Sequence, residues 1–297
     1  MSTTWFASPA DAAERLGATG YLTDAATATT AYLAGALEKP LLVEGPAGVG
    51  KTELAKAVGR AVGAELVRLQ CYEGLDEARA LYEWNYKKQL LFIQARHASD
   101  ADLDHRTQPR EDWDHSIFTE EFLLTRPLLT AIRRDQPTVL LVDEVDKTDV
   151  EVEGLLLEIL SDFQVTVPEL GTMSAVRRPF VVLTSNASRE LSEALKRRCL
   201  YLHLDYPDAA REREIIQRQV PDLDDRIVRQ VVDTVGRLRD LELKKAPSIA
   251  ESVDWARTLV ALEIGDLDEA AVTRTLGAVL KHASDHERAA QELRLGS

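Results

Sequence analysis

The sequence predicts an α/β domain built on a parallel β-sheet, followed by a smaller all-helical domain. Short apolar runs alternate with helix-like segments as far as Pro207, and such alternation is typical of parallel sheets covered by helices on both faces. Beyond Pro207 the chain shows helical periodicity and many charges but no strand-like run. We therefore expect the α/β domain at residues 1–206 and a domain of four or five helices at residues 207–297.

The predicted elements follow one another in a simple order. Two helices are expected at 10–16 and 24–37, and apolar residues recur at helical spacing in a third, Lys51–Val62. Five apolar runs predict the strands, at 40–43, 65–71, 138–142, 180–184 and 200–204. Two segments interrupt the alternation: a long insert at 81–121 with a polar middle, and one at 163–179 that predicts a hairpin turning at Gly171. Long insertions are usually functional or disordered.

The composition narrows the classes of partner and compartment. Acidic residues outnumber basic ones by 50 to 36, which gives a formal net charge of −14. Because nucleic-acid binders usually carry a basic surface, we expect no nucleic-acid partner and no membrane partner. The two cysteines, Cys71 and Cys199, form no C-x-x-C pair, which favours a reducing compartment. With no secretory signal in residues 1–10 and no apolar run of about 18 residues, we predict a cytoplasmic protein.

A glycine-rich loop matches the phosphate-binding pattern G-x-x-x-x-G-K-[ST]. It consists of Gly45, Pro46, Ala47, Gly48, Val49, Gly50, Lys51 and Thr52. Such glycines let successive backbone N–H groups face phosphates, and the helix that follows presents its positive end. Lys51 is expected to reach the β- and γ-phosphates, and the Thr52 hydroxyl to ligate Mg²⁺. Since a strand precedes the loop and a helix follows it, the context is that of an ATP-binding site.

Two carboxylates, Asp143 and Glu144, follow the apolar run 138–142. Ligands of parallel sheets bind at the carboxyl ends of the strands. Asp143 would hold Mg²⁺ through water, and Glu144 would orient and deprotonate the attacking water. Alone, such a run is more often a strand that ends in a solvated turn. Downstream of a phosphate loop, it predicts an ATPase.

Two further polar signals are less specific. Asn186 follows the fourth predicted strand and could touch both the γ-phosphate and the attacking water, or it could cap a helix that begins at Ser188. Arg197 and Arg198 precede the fifth strand. Either arginine could stabilise transition-state charge in a neighbouring active site, or it could complement the dipole of a helix end.

These four elements, in this order, resemble the AAA+ superfamily, and within it the CoxD-like branch of the MoxR family. The branch is indicated by residues 41–56 (LLVEGPAGVGKTELAK), 68–74 (RLQCYEG), 81–86 (LYEWNY) and 247–251 (PSIAE). The resemblance implies a five-stranded parallel sheet with a helical lid, and a homo-oligomeric ring, a hexamer, with ATP at each interface. Both inserts would face the pore or the substrate.

The resemblance also assigns roles. Asn186 would be the first sensor, Arg198 or Arg197 the arginine finger, and Tyr21 and Leu22 would lie near the adenine. MoxR-like ATPases are similar to chaperones that activate a metalloenzyme, here of the molybdenum hydroxylase or CO dehydrogenase type, often with a partner that carries a von Willebrand A domain. One departure is the stretch 246–251, which lacks the lid arginine of many AAA+ proteins. Arg257 lies further along the chain. Without an arginine in this stretch, we expect either that another residue contacts the γ-phosphate or that hydrolysis is slow.

Several alternatives stay open on the sequence alone. A P-loop kinase or a nucleic-acid motor or clamp loader would also carry a phosphate loop, although the carboxylate pair favours water as the nucleophile and the net charge opposes DNA. The insert contains His97, His105 and His115. Without tight ligand spacing, we expect a solvated acidic loop there rather than a metal site. The alternating aromatics at 82, 84 and 86 are expected to pack or to grip a protein rather than to stack on bases.

Overall fold

The computed structural model describes residues 5–100 and 117–292, and it does not describe the side chains of 96–100. The predicted acidic loop with His105 and His115 lies outside the described residues, as does the side chain of His97. Contacts divide the chain into two compact units. The α/β unit comprises the described residues of 1–44 and 52–202, and the helical unit those of 45–51 and 203–297. The contact boundary after Leu202 precedes Leu204 and Tyr206, which pack against the helical core.

A five-stranded parallel β-sheet forms the centre of the α/β unit. Numbered along the chain, its strands are β1 (Leu41–Glu44), β2 (Glu65–Gln70), β5 (Thr138–Asp143), β8 (Phe180–Ser185) and β9 (Leu200–His203). They lie in the order β2-β5-β8-β1-β9, so all five predicted strands are present. Every residue of β5 and β8 is buried, as expected for strands covered on both faces. The register pairs Gln70 with Asp143, which brings two polar strand ends together.

In the part of the chain that the structure describes, six helices flank the sheet. They are α1 (Pro9–Ala18), α2 (Ala25–Ala36), α3 (Lys51–Val62), α6 (Pro127–Arg133), α7 (Val150–Asp162) and α8 (Glu193–Arg198). The first two begin at side-chain caps, because Ser8 accepts the N–H of Asp11 and Asp24 accepts that of Thr27. The three helices predicted before β2 are confirmed.

The long insert begins as a small sheet. After the short helix α4 (Glu77–Ala80), strand β3 (Tyr82–Trp84) pairs antiparallel with β4 (Leu123–Thr125), and α5 (Tyr86–Asp100) follows β3. Trp84 is buried and meets Phe118 edge-on at 5.1 Å between ring centroids. Packing thus accounts for Tyr82 and Trp84 among the alternating aromatics, whereas Tyr86 is exposed.

The second insert is the predicted hairpin. Strands β6 (Gln164–Val167) and β7 (Gly171–Ser174) pair antiparallel. Gly171 has φ = 79°, a backbone conformation that favours glycine at a turn. Val165 and Val167 are buried in the core of the α/β unit, so one face of the hairpin is anchored there.

In its described residues, the helical unit contains five α-helices and the 3₁₀ turn Leu276–Ala278. The helices are α9 (Ala209–Gln219), α10 (Asp225–Arg239), α11 (Ile249–Ala261), α12 (Glu269–Thr275) and α13 (Ala283–Glu292). Trp255 is fully buried at their centre and donates Nε1–H to Thr275 at 2.8 Å. Buried Glu212 accepts two bonds from Arg239, at 2.6 and 2.8 Å. No helix in the described ranges is both long and apolar enough to cross a membrane.

Candidate functional site

The glycine-rich loop Gly45–Lys51 joins β1 to α3 and belongs to the helical unit by its contacts. Gly45, Gly48 and Gly50 all have positive φ, at 150°, 75° and 98°, and glycine adopts such conformations without steric cost. Lys51 is buried, and its Nζ donates to the carbonyls of Gly45 at 2.8 Å and Pro46 at 2.7 Å. The lysine side chain therefore folds back and links the end of the loop to its first two residues.

Residues of the helical unit fit closely around this loop. A Cβ added at Gly45 would stand 1.9 Å from the carbonyl oxygen of Leu204, and one at Gly48 would stand 2.3 Å from Oγ of Ser248. The side chain of Val49 is buried in the hydrophobic core that the helices form. The shape of the loop thus depends on glycine at 45 and 48 and on an apolar residue at 49.

Gly48→Ala should destabilise the protein well beyond the cost of a left-handed alanine. Gly63 has a similar φ of 68° but no atom within 4 Å of an added Cβ, so Gly63→Ala is a matched control. We expect Gly63→Ala to cost about 1–2 kcal/mol. Because its Cβ would collide with Ser248, Gly48→Ala should cost about 1–3 kcal/mol more. Urea unfolding measures both, and equal losses would contradict the close contact.

The carboxylate of Asp143, at the end of β5, accepts hydrogen bonds from two hydroxyl groups and forms part of a hydrogen-bond network, here called the net, around Asp143 and Glu144. Oδ1 accepts from Oγ1 of Thr52 at 2.9 Å and from Oγ1 of Thr184 at 2.6 Å. The side chain of Asp143 is only 4% exposed. The structure thus brings together the two residues predicted to serve Mg²⁺, and their oxygens are of the kind that Mg²⁺ prefers.

Glu144 directly follows β5 in the left-handed conformation, with φ = 59° and ψ = 47°. Such a conformation is unfavourable for a residue with a Cβ and is typical of functional turns. Its N–H donates to Thr184 at 2.9 Å. Two donors approach the same carboxylate oxygen, Oε2: Nε2 of Gln70 at 2.9 Å and Nζ of Lys147 at 2.7 Å. Both donors thus engage Oε2 rather than Oε1.

Residues from the edge strand β2 complete the net around the carboxylates. Arg68 forms an ion pair with Oδ2 of Asp143 at 2.5 Å and also donates to Gln70. Arg68 and Gln70 are two residues apart, so they lie on the same face of the strand. One strand thus supplies a donor to Asp143 and a donor to Glu144.

A second buried carboxylate, Asp146, fixes the segment that carries Asn186. Its oxygens accept the N–H of Asn186 at 3.2 Å, the N–H of Ser188 at 3.0 Å and the Ser188 hydroxyl at 2.5 Å. Burial alone would raise the pKa of Asp146, but the hydrogen bonds from Ser188 and Asn186 outweigh it, and the pKa lies below its ordinary value. At neutral pH the carboxylate is ionised and holds this segment in place.

The alternative role of Asn186 as a helix cap is wrong. The next helix, α8, begins at Glu193, and its cap is Ser192, which accepts the N–H of Leu195 at 3.3 Å. The residues between form bends and irregular chain, and Asp146 accepts the backbone N–H groups of Asn186 and Ser188 there.

The other predicted site residues lie on separate segments. Arg197 and Arg198 occupy the last turn of α8, as both the finger and the dipole interpretations require. Arg198 donates to the Ser161 hydroxyl at 2.6 Å, whereas the side chain of Arg197 is 82% exposed and lies 4.0 Å from Glu193. Tyr21 and Leu22 are half-buried between α1 and α2.

The stretch that lacks the lid arginine forms the start of α11. Ser248 caps this helix and, with Glu251, makes a capping box. Arg257 is on the same helix, where it pairs with Asp254 at 3.3 Å and is 57% exposed. Ser248 is therefore the residue of this stretch that contacts the loop glycine at 48.

Both cysteines behave as core residues. Burial, followed by the nearby carboxylates, raises the pKa of Cys71 to about 12, and burial raises that of Cys199 to about 12. Their thiols are protonated at neutral pH and are poor nucleophiles. Within 5–100 and 117–292, no cluster of three or more His, Cys, Asp or Glu side chains could hold a metal ion by itself.

Sequence reasoning missed Arg68, Gln70 and Asp146 as parts of this net. The alternation Arg68-Leu69-Gln70 within an apolar strand was a detectable signal, since it places two polar residues on one face. Asp146 gave no signal, because its role depends on the backbone path after β8.

Comparisons with known proteins return relatives of similar length. The uncharacterized protein SH1500 of Staphylococcus haemolyticus is 24% identical over 81% of this chain and 84% of its own. The uncharacterized protein SAB1265c of Staphylococcus aureus is 26% identical over 76% of this chain and 77% of its own. Among solved structures, a mutant of RuvB from Thermotoga maritima is 15% identical with a TM-score of 0.47, covering 99% of this chain and 74% of that one.

The family itself is shown by a match over the loop, four of the five strands and both carboxylates. The model of the AAA domain (dynein-related subfamily) matches residues 40–199, more than half of the 297-residue chain. This range begins just before β1 and ends just before β9. The chain belongs to the AAA domain family, in its dynein-related subfamily.

Proposed function

We propose that the protein is a magnesium-dependent ATPase that works as a ring and remodels or activates a client protein. The observation that carries the proposal is the net around Asp143 and Glu144, two neighbouring carboxylates with separate hydrogen-bond partners. Asp143 bonds to the hydroxyl of Thr52, the residue directly after the loop lysine. Glu144 follows it in a strained turn with one oxygen engaged by two donors. One carboxylate suits metal binding, and the other suits a general base.

The loop and the residue after it fit ATP and Mg²⁺. The positive-φ glycines and Lys51 suit the β- and γ-phosphates, where backbone N–H groups and an ammonium replace water. Thr52 and Asp143 supply the oxygen donors that Mg²⁺ takes. When bound, the metal neutralises charge on the β- and γ-phosphates.

The chain's own residues then divide the hydrolysis step. Lys51 binds the phosphates, and Thr52 and Asp143 hold the metal position. Glu144 accepts a proton from the attacking water at Oε1, while Gln70 and Lys147 hold Oε2 in place. Asn186, fixed by Asp146, orients the water and the γ-phosphate.

Ring assembly is supported by the arginines at the end of α8. Arg197 is largely exposed, and Arg198 is exposed while bonded to Ser161. An arginine that reaches a neighbouring active site must start from such a surface position. We propose that one of the two acts in trans in a hexameric ring, and that Tyr21 and Leu22 contact the adenine.

The client side of the proposal rests on the resemblance to the CoxD-like branch of the MoxR family. A protein client is favoured over DNA by the net charge of −14. The exposed side chains of the first insert, including Tyr86, Leu90 and Leu91, could contact a protein. We propose a cytoplasmic chaperone for a molybdenum hydroxylase or CO dehydrogenase type enzyme, acting with a von Willebrand A domain partner.

ATP turnover per subunit, measured against protein concentration, tests the ring. If an arginine acts in trans, turnover should rise steeply with concentration, and Arg197→Ala or Arg198→Ala should lower the plateau on the order of 10³-fold. Arg218→Ala is the matched control, since Arg218 is an exposed helical arginine paired with Glu214 at 2.9 Å. Turnover that does not depend on concentration, down to dilutions where the protein is monomeric, would contradict the ring mechanism.

A further inference from the structure

The carboxylate of Asp143 has little acceptor capacity left. An ionised carboxylate offers about two lone-pair sites on each oxygen. Oδ1 already accepts from Thr52 and Thr184, at 2.9 and 2.6 Å. Oδ2 accepts from Arg68 at 2.5 Å. Among the described residues these are the three side-chain donors to the carboxylate, so the acceptor site that remains adjoins a guanidinium group.

The position of Arg68 is set by the strand it occupies. Arg68 pairs in register with Leu141, two residues before Asp143, and Gln70 pairs with Asp143 itself. Arg68 also donates to the amide oxygen of Gln70. The guanidinium is thus held at Oδ2 by a strand register and by two acceptors.

Stabilisation of the fold alone is a poor explanation for the ion pair between Arg68 and Asp143. The Arg68 side chain is 49% exposed, whereas that of Asp143 is 4% exposed. Water and salt screen the half-exposed guanidinium, which limits what the pair contributes to stability, whereas the buried carboxylate is screened little. Arg68 also contacts the carboxylate that we propose to bind Mg²⁺, so its charge affects metal binding directly.

We propose that Arg68 is a positioning residue whose positive charge lowers the affinity of Asp143 for Mg²⁺. Arg68 thereby sets the coupling free energy between Mg²⁺ binding and nucleotide binding. The inference rests on the proposed function and adds the regulation of its metal site. Thr52 and Thr184 already donate to Oδ1, so a bound Mg²⁺ would be held by Asp143 close to the guanidinium on Oδ2. The positive charge of Arg68 then lowers metal affinity while its N–H keeps the carboxylate oriented.

The sign of the effect follows from the charges alone. Removal of a positive charge next to a divalent cation makes metal binding more favourable. Arg68→Gln removes the charge and keeps an N–H donor, whereas Arg68→Lys keeps the charge. We expect the two variants to differ in metal affinity.

The test measures the affinity for a non-hydrolysable ATP analogue, AMPPNP, in excess EDTA and again in excess Mg²⁺. The ratio of the two dissociation constants is the coupling between metal and nucleotide. In Arg68→Gln this ratio should rise roughly three- to tenfold at low salt, where the charge is least screened. In Arg68→Lys it should remain close to that of the unchanged protein.

The results separate a failure of the role given to Arg68 from a failure of the proposed ATP-binding function. An unchanged ratio in Arg68→Gln, or the same rise in both variants, overturns the role of Arg68 while leaving the ATP site intact. If the unchanged protein binds no AMPPNP even with Mg²⁺, the proposed function itself fails. Thermal unfolding of both variants should match that of the unchanged protein, and a shift confined to Arg68→Gln would indicate a structural ion pair instead.

Discussion

Glu144→Gln should reduce the rate of ATP hydrolysis by about 10²–10⁴-fold, the usual contribution of a positioned general base. The amide keeps the size of the side chain but cannot take the proton of water. The backbone of residue 144 keeps its bond to Thr184, so the site should retain its shape. ATP should therefore still bind, with a dissociation constant close to that of the unchanged protein. Single-turnover hydrolysis and equilibrium binding of labelled ATP measure the two effects separately.

The control for this variant is Glu158→Gln, an exposed glutamate on α7. It should leave both rate and affinity unchanged. A Glu144→Gln protein that hydrolyses ATP within a few-fold of normal would show that another group takes the proton. Loss of ATP binding in that variant would instead assign Glu144 a role in nucleotide binding.

Lys51→Ala should weaken nucleotide binding on the order of 100-fold or more, since charge-assisted contacts to phosphate are among the strongest hydrogen bonds. The loop should also lose stability in its conformation, because Nζ of Lys51 bridges the carbonyls of Gly45 and Pro46. Calorimetric titration with ATP and Mg²⁺ measures the affinity, and turnover should be undetectable.

Lys56→Ala separates the phosphate contact from a general change of charge. Lys56 lies on the same helix, α3, but its side chain is 44% exposed and pairs with Glu53 at 3.5 Å. This control should bind ATP normally. Near-normal binding by Lys51→Ala would mean that the backbone N–H groups of the loop suffice, and the role given to the lysine would be wrong.

The sequence was most informative where local patterns decide the structure. The five apolar runs became the five strands, and the helix predicted from Lys51 to Val62 has those ends in the structure. The phosphate loop was detectable because its glycines and its Lys51-Thr52 pair occupy consecutive positions. The hairpin at 163–179 was detectable from alternation and Gly171.

The parts that depend on tertiary contacts could not be predicted. The strand order places Arg68 and Gln70 beside Asp143, although 75 residues separate Arg68 from Asp143 along the chain. The wrong cap interpretation of Asn186 has the same origin, because buried Asp146 determines the path of that segment. A single sequence contains no local pattern for such pairings.

The burial of Val49 limits which side chains the phosphate loop of this protein tolerates at that position. The motif G-x-x-x-x-G-K-[ST] leaves position 49 unspecified, since phosphate chemistry needs only the backbone there. In this chain, however, the Val49 side chain is buried with the helical core. Substitutions at this position are therefore constrained by the packing volume of the helical core, and not by nucleotide binding alone.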